Sequence, residues 1–149
     1  MPAYSQTSKD KLAQAHPDLI VLFNWVILFY DNSIIDTYRT KVKQHQYLLE
    51  GKAKVDYPTC HNTKPANAVD SAPYEVSHID WGQLQSAYYA GWVMAIAAML
   101  YDMGLMKHRI RCGLDWDKDN DVDDNLSFWD ANHFEIIPNP GEIFNYFEV

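Results

Sequence analysis

Cysteine is scarce: Cys60 and Cys112 are the only two in the chain. Two thiols cannot supply the cross-links of a disulfide framework, so two free thiols in a reducing compartment are expected, with a single bridge between them as the alternative. Long apolar runs are missing too. The most apolar stretches, residues 19–30 and 90–101, span 12 residues each; Asn24 interrupts the first and Asp102 closes the second. A bilayer requires about 20 apolar residues, so no stable membrane insertion is expected. The first eleven residues are polar and lack the apolar stretch of a secretory signal, which points to a cytoplasmic start. There is no block of Lys or Arg, and the net charge is −8. Nucleic-acid binding by phosphate neutralisation is thereby disfavoured. A His-Glu-x-x-His helix motif is absent as well.

What is present is apolar and aromatic. Of 149 residues 48% are apolar, with ten Tyr, six Phe and five Trp, enough for one globular domain with its own core. Residues 5–15 read as a short helix. Pro17 and Asp18 open a second, in which Leu19, Leu22, Phe23, Val26, Ile27 and Tyr30 recur at helical spacing, so it is largely buried. Residues 33–38 form a strand candidate, and residues 42–50 a polar helix closed by Gly51. Residues 52–66 are loop-like. Residues 68–72 read as a buried strand closed by Pro73. The longest helix is expected from Ile79 to about Met103, with small residues such as Ala87, Ala90 and Gly91 allowing close packing on a sheet. Strands at residues 110–112 and 133–137 flank an acidic loop. The expectation is an α+β fold: a small antiparallel sheet with packed helices.

The residues that carry chemistry are few. His61 lies in the turn-rich segment, Asp70 in an apolar run, and His133 among Phe, Ile and Trp, three places after Asp130. Two imidazoles and one carboxylate can hold a zinc ion and leave a position for water, and a further carboxylate can take that water's proton. Spacing alone leaves this reading and that of satisfied structural side chains both open. Cys60 neighbours His61, but adjacent residues of an extended segment face opposite ways, which sets it aside as a ligand. Asp130 is too near His133 to share a regular strand face, so a tight turn leading into the strand is expected to carry it. Asp115, Asp117, Asp119 and Asp121 alternate like the start of a calcium loop, and Asp123 and Asp124 follow. Asn120 stands where Gly is preferred and Leu126 where Glu is needed, so a solvated acidic loop is the alternative. His16, His45, His78 and His108 read as surface or capping residues. Trp81, Trp116 and Trp129 read as core, with Trp129 at the edge of any groove that Asp130 serves.

Five segments stand in an order that adds to this. They are Asp36-Thr37-Tyr38-Arg39-Thr40 with Gln44; Thr59-x-His61-Asn62-x-x-Pro65-x-x-Ala68-Val69-Asp70-x-Ala72-Pro73-Tyr74; Ile79-Asp80-Trp81; Gly113-x-Asp115-Trp116-Asp117; and Asp130-x-x-His133-Phe134-Glu135. Through them, residues 5–136 resemble the LAS-type zinc peptidases of the M15 family, above all the phage endolysins that act as L-alanyl-D-glutamate endopeptidases. The resemblance implies a Hedgehog/DD-peptidase-like fold and one catalytic domain over residues 1–149. It makes His61, Asp70 and His133 the Zn2+ ligands and Asp130 the general base. Arg39 would hold a substrate carboxylate or polarise the scissile carbonyl, with Gln44 assisting on the same side. Thr59 replaces a Ser found in many members and keeps its hydroxyl. The longer gap between His61 and Asp70 is similar to that of a phage subgroup. Ca2+ control, known for some phage members, would act through the acidic loop. The implied substrate is the peptidoglycan stem peptide, cut during host lysis by a monomer that reaches the periplasm once the membrane is permeabilised. The alternatives are a D-Ala-D-Ala carboxypeptidase or dipeptidase of the same superfamily, and a non-catalytic cation- or wall-binding domain.

Overall fold

Side-chain caps set the starts of the first three helices. The computed structural model describes residues 1–122 and 128–146. Helix α1 (Gln6–Leu12) begins where the Ser5 hydroxyl accepts the Ser8 N–H. Helix α2 (Pro17–Phe29) begins where His16 Nδ1 accepts the Asp18 N–H at 3.1 Å, with Pro17 in the first turn. Thr40 caps α3 (Lys41–Leu49) in the same manner. Helix α4 (Gln83–Asp102) ends at Gly104, whose φ of +73° lets its N–H turn back to the Tyr101 carbonyl.

The strands are β1 (Asn32–Asp36), β2 (Ala68–Glu75), β3 (His78–Ile79), β4 (Ile110–Gly113) and β5 (Asp130–Ile136). They form one antiparallel sheet in the order β1-β2-β5-β4, with β3 paired to the end of β2. The α+β expectation holds, and several element boundaries differ from the sequence reading, four of them with consequences for the sheet. Ile79 is not helical: it pairs with Tyr74, and Asp80 accepts the Gly82 N–H, so a hairpin and turn use residues 78–82 before α4 begins. Trp81 is therefore exposed on that turn and not in the core. Strand β2 runs through Pro73 to Glu75, because β5 pairs only with Ala68–Asp70 and requires no donor from the proline. Strand β1 ends at Asp36, and β5 starts three residues early, at Asp130.

The sheet has two unlike faces. One carries Ile34, Val69, Cys112, Phe134 and Ile136 into the core, against Leu19, Phe23 and Val26 of α2 and Tyr89, Val93 and Leu100 of α4. A satisfied polar chain crosses this core, in which the Tyr4 and Ser71 hydroxyls both donate to Asn32 Oδ1 and Ser71 meets the Tyr89 hydroxyl at 2.7 Å. Phe134 is fully buried, edge-on to Phe23 (5.7 Å) and Tyr89 (6.1 Å). Truncating such a ring leaves a cavity as well as lost burial. Phe134→Ala is expected to destabilise the chain by about 3–5 kcal/mol, read from the midpoint of urea denaturation.

Candidate metal centre and active-site groove

The opposite face of the sheet carries the polar side chains. Asp70 on β2 stands directly across from His133 on β5, and Glu135 pairs with Ala68 on one side and Arg111 of β4 on the other. A regular strand would place Asp130 and His133 on opposite faces. The ladder between β4 and β5 instead steps from Cys112↔Phe134 straight to Gly113↔Asp130, so residues 131–133 bulge and Asp130 takes the position His133 would have filled. Asp130 thus comes to the polar face from inside the strand, not from a turn ahead of it. A second irregularity, between Ile34 and Asp36 on β1, puts Asp36 opposite Asp70. Gly113 makes the first bulge possible. A Cβ there would run into the Asp130 carbonyl and come within 2.9 Å of the Asp130 Cβ and the Trp116 ring.

His61 arrives from the loop before β2. It lies in a 3-10 turn (Cys60–Asn62) whose ends are tied by Thr59 and Asn62. Its Nε2 lies 3.1 Å from Asp70 Oδ1 and 3.3 Å from His133 Nδ1, and the latter is 3.0 Å from the same Asp70 oxygen. Three candidate ligand atoms therefore converge on one point. The far nitrogen of each ring is also fixed: His61 Nδ1 meets the Thr37 carbonyl at 2.6 Å, and His133 Nε2 meets Glu135 at 2.8 Å. Partners of this kind set the tautomer of a metal-binding imidazole and orient its ring. The donor set, two nitrogens and a carboxylate oxygen with their far atoms held, fits a metal ion. Sequence reasoning assigned no role to Glu135. The signal was its spacing of two from His133 in a strand, which puts both on one face.

Electrostatics favour a cation at this point. Burial works against the charge on Asp70, yet His61, His133 and Arg39 together hold its carboxyl well below the usual range. Burial likewise opposes charge on His133, but Asp70 and Glu135 outweigh it and draw that imidazole up to about 10. Despite burial, His133 and Arg111 bring Glu135 down to about 2. Asp130 moves the other way, raised first by burial and then by the Asp70 charge. A carboxyl so raised is suited to taking and returning a proton.

These residues floor a groove of about 480 Å3. Arg39 lines it, but its guanidinium is already engaged, with Nε on Asp36 at 2.8 Å, Nη2 on Asp70, and Nη1 in a longer 3.4 Å contact with Gln44. Gln44 is 1% exposed and uses its amide to hold the Val55 carbonyl at 2.7 Å. Thr59 lines the groove while its hydroxyl caps the His61 turn. Trp129 lines it beside Asp130. Trp116 lies not in the core but over His133 (5.6 Å, 31° between rings), and its indole donates to the Phe128 carbonyl.

The other candidates separate cleanly. Asp115, Asp117 and Asp119 come together as a possible cation cluster that does not include Asp121, and the Asp115 carboxylate accepts the N–H groups of Asp119 and Asn120. Asp123, Asp124 and Leu126 lie outside the described residues. Both thiols are free, and burial beside Glu135 pushes Cys60 up to about 12. His16 is a cap as expected. His108 is buried rather than on the surface, clamped between Asp18 (2.7 Å) and Glu142 (2.9 Å), because Asp18 also takes the N–H groups of Lys107 and His108.

A small antiparallel sheet that brings one imidazole and a carboxylate to the same point as a second imidazole from an adjoining turn, with a further carboxylate lining the groove, defines a candidate metal-dependent hydrolase. The chain belongs to the family of phage L-alanyl-D-glutamate peptidases, whose family model matches residues 2–137. It is 24% identical over 138 residues to the L-alanyl-D-glutamate peptidase of Escherichia phage T5, covering 90% of this chain and 97% of that one. Its fold is similar to that in the crystal structure of the Serratia marcescens L-Ala D-Glu endopeptidase ChiX, with a TM-score of 0.67, 17% identity, and coverage of 91% of this chain and 90% of that one. Gly113→Ala, which displaces Asp130 and Trp116 without touching His61, Asp70 or His133, is expected to lower peptidase turnover about 100-fold while the far-UV circular dichroism is retained.

Proposed function

We propose that this peptidase is a zinc endopeptidase that cuts peptidoglycan stem peptides between L-Ala and D-Glu. The observation that carries the reading is the convergence of His61 Nε2, Asp70 Oδ1 and His133 Nδ1 within 3.0–3.3 Å of one another beside Asp130. In it, His61, Asp70 and His133 hold the metal. A zinc ion bound there supplies a Lewis acid and lowers the pKa of bound water to about 7. Asp130 accepts a proton from the attacking water and returns it to the leaving amine of the glutamate residue. Arg39 keeps Asp70 oriented through Nη2, and its loosely held Nη1 is the nitrogen left to polarise the scissile carbonyl. Gln44 and Thr59 act on the same wall by fixing the loop at Val55 and the His61 turn. Trp129 and Trp116 also line the groove.

The reading extends to the acidic turn and to the cellular setting. Calcium is the cation suited to Asp115, Asp117 and Asp119, since clustered carboxylates are hard oxygen ligands. Trp116 lies between the first two and bonds to Phe128, two residues before Asp130, so an ordered turn would steady the base. Among the described residues no helix is long and apolar enough to cross a membrane. In this reading, which rests on the phage-peptidase family, the chain acts in host lysis as a monomeric catalytic unit that passes from the host cytoplasm to the wall once the membrane is permeabilised.

The deciding experiment is mass spectrometry of the products released from Gram-negative sacculi with and without a chelator. New ends at L-Ala and D-Glu that vanish with chelator and return with zinc are expected, whereas release of D-Ala would make the chain a carboxypeptidase. Two variants divide the roles. Asp130→Asn is expected to bind zinc normally and to lose about 100- to 10,000-fold in kcat. His133→Ala is expected to lose both zinc, measured by titration against a chromophoric chelator, and activity.

A further inference from the structure

The substrate of the proposed reaction carries its own anion next to the bond that breaks. A glutamate residue has two carboxyl groups, and the stem peptide continues from only one. The other remains as a carboxylate on the residue whose nitrogen leaves. A groove that prefers glutamate at this position requires a cation with capacity to spare, because a buried or half-buried carboxylate without a partner is costly.

Four Lys or Arg side chains line the groove: Arg39, Lys52, Lys54 and Arg111. Three are already engaged. Arg39 is 8% exposed and serves Asp36, Asp70 and Gln44. Arg111 holds Glu135 through Nε (2.9 Å) and Nη2, and gives Nη1 to the Trp116 carbonyl. Lys52 pairs with Glu50 at 2.6 Å. Lys54 is different. Its Nζ has a long 3.3 Å contact with the Trp129 carbonyl and lies 4.7 Å from the Phe128 ring, and among the described residues no carboxylate is within ion-pair distance of it. It is exposed to solvent, and its charge acts on Asp130.

The backbone beneath Lys54 is held. The N–H groups of Lys52 and Ala53 both donate to the Tyr47 carbonyl, and buried Gln44 grips the Val55 carbonyl from the other side. A flexible side chain thus springs from a pinned segment, with its tip against the residue that precedes the proposed base.

We propose that Lys54 binds the free carboxylate of the glutamate residue and so determines specificity on the leaving side of the scissile bond. This rests on the endopeptidase reading above. There, Asp130 serves the nitrogen of that glutamate, and the carboxylate of the same residue falls to the cation beside Asp130. Arg39 is thereby released from the carboxylate-binding role and keeps the scissile carbonyl.

The test compares two synthetic stem peptides that differ at one group: L-Ala–D-Glu with its free carboxylate, and the same peptide with that carboxyl as a carboxamide. The wild-type chain is expected to favour the carboxylate by about 10-fold or more in kcat/KM, mostly through KM. Lys54→Met should bring the two peptides to within about 2-fold of each other, and Lys54→Arg should keep the preference. An undiminished preference in Lys54→Met, or an equal loss on both peptides, would overturn the assignment while leaving the endopeptidase in place. A wild-type chain that cuts neither peptide would overturn the endopeptidase reading and this assignment with it.

Discussion

Asp70 and His133 face each other across two antiparallel strands, and the surrounding polar structure is organised around that pair. One oxygen of Asp70 meets both imidazoles and the other meets Arg39. A carboxylate this enclosed is tolerable only when every lone pair has a partner. The partners themselves require partners, so the network spreads: Lys43 to Asp36, Asp36 to Arg39, His133 to Glu135, Glu135 to Arg111. The charges alternate in sign along this path across all four main strands. At its centre the sequence of signs calls for a positive charge between Asp70 and Glu135. His133 lies at that point, in contact with both carboxylates, and a metal ion held there would supply the charge.

Two departures from regular pairing put the remaining carboxylates where this network can use them. Without the irregularity after Ile34, Asp36 would point into the core beside Ile34. Without the bulge at residues 131–133, Asp130 would point there too. Both bulges reverse a side chain while leaving the apolar residues on either side in register. The chain can therefore keep Phe134 against Phe23 and still present His133, Glu135 and Asp130 to the groove.

The fold class and the identity of the three converging residues were legible because they rest on local signals: helical spacing in α2, apolar runs for β2 and β5, and a distinctive order of short segments. What was not legible depends on pairing. The start of α4 is not legible, because Ile79 and Asp80 have helix-compatible neighbours and only the partner strand shows that a hairpin claims them. The position of Asp130 inside β5 is hidden, because a period of two cannot anticipate a bulge. The burial of His108 is hidden, because its partners, Asp18 and Glu142, are distant in the chain. The engagement of Arg39 was hidden for the same reason: a guanidinium reads as available until the carboxylates that surround it are brought together.

The strand order has a consequence for timing. β5 is last in the chain of the five strands, yet it lies between β2 and β4. During synthesis from the N-terminus, β4 emerges with no neighbour to pair with, and Asp70 has no His133 opposite it until residues 130–136 have left the ribosome. The sheet and the cluster are thus completed by one event, the insertion of a single strand into a waiting gap. A nascent or interrupted chain has neither the complete sheet nor the converging side chains of the candidate site, so peptidase activity appears only with a folded molecule.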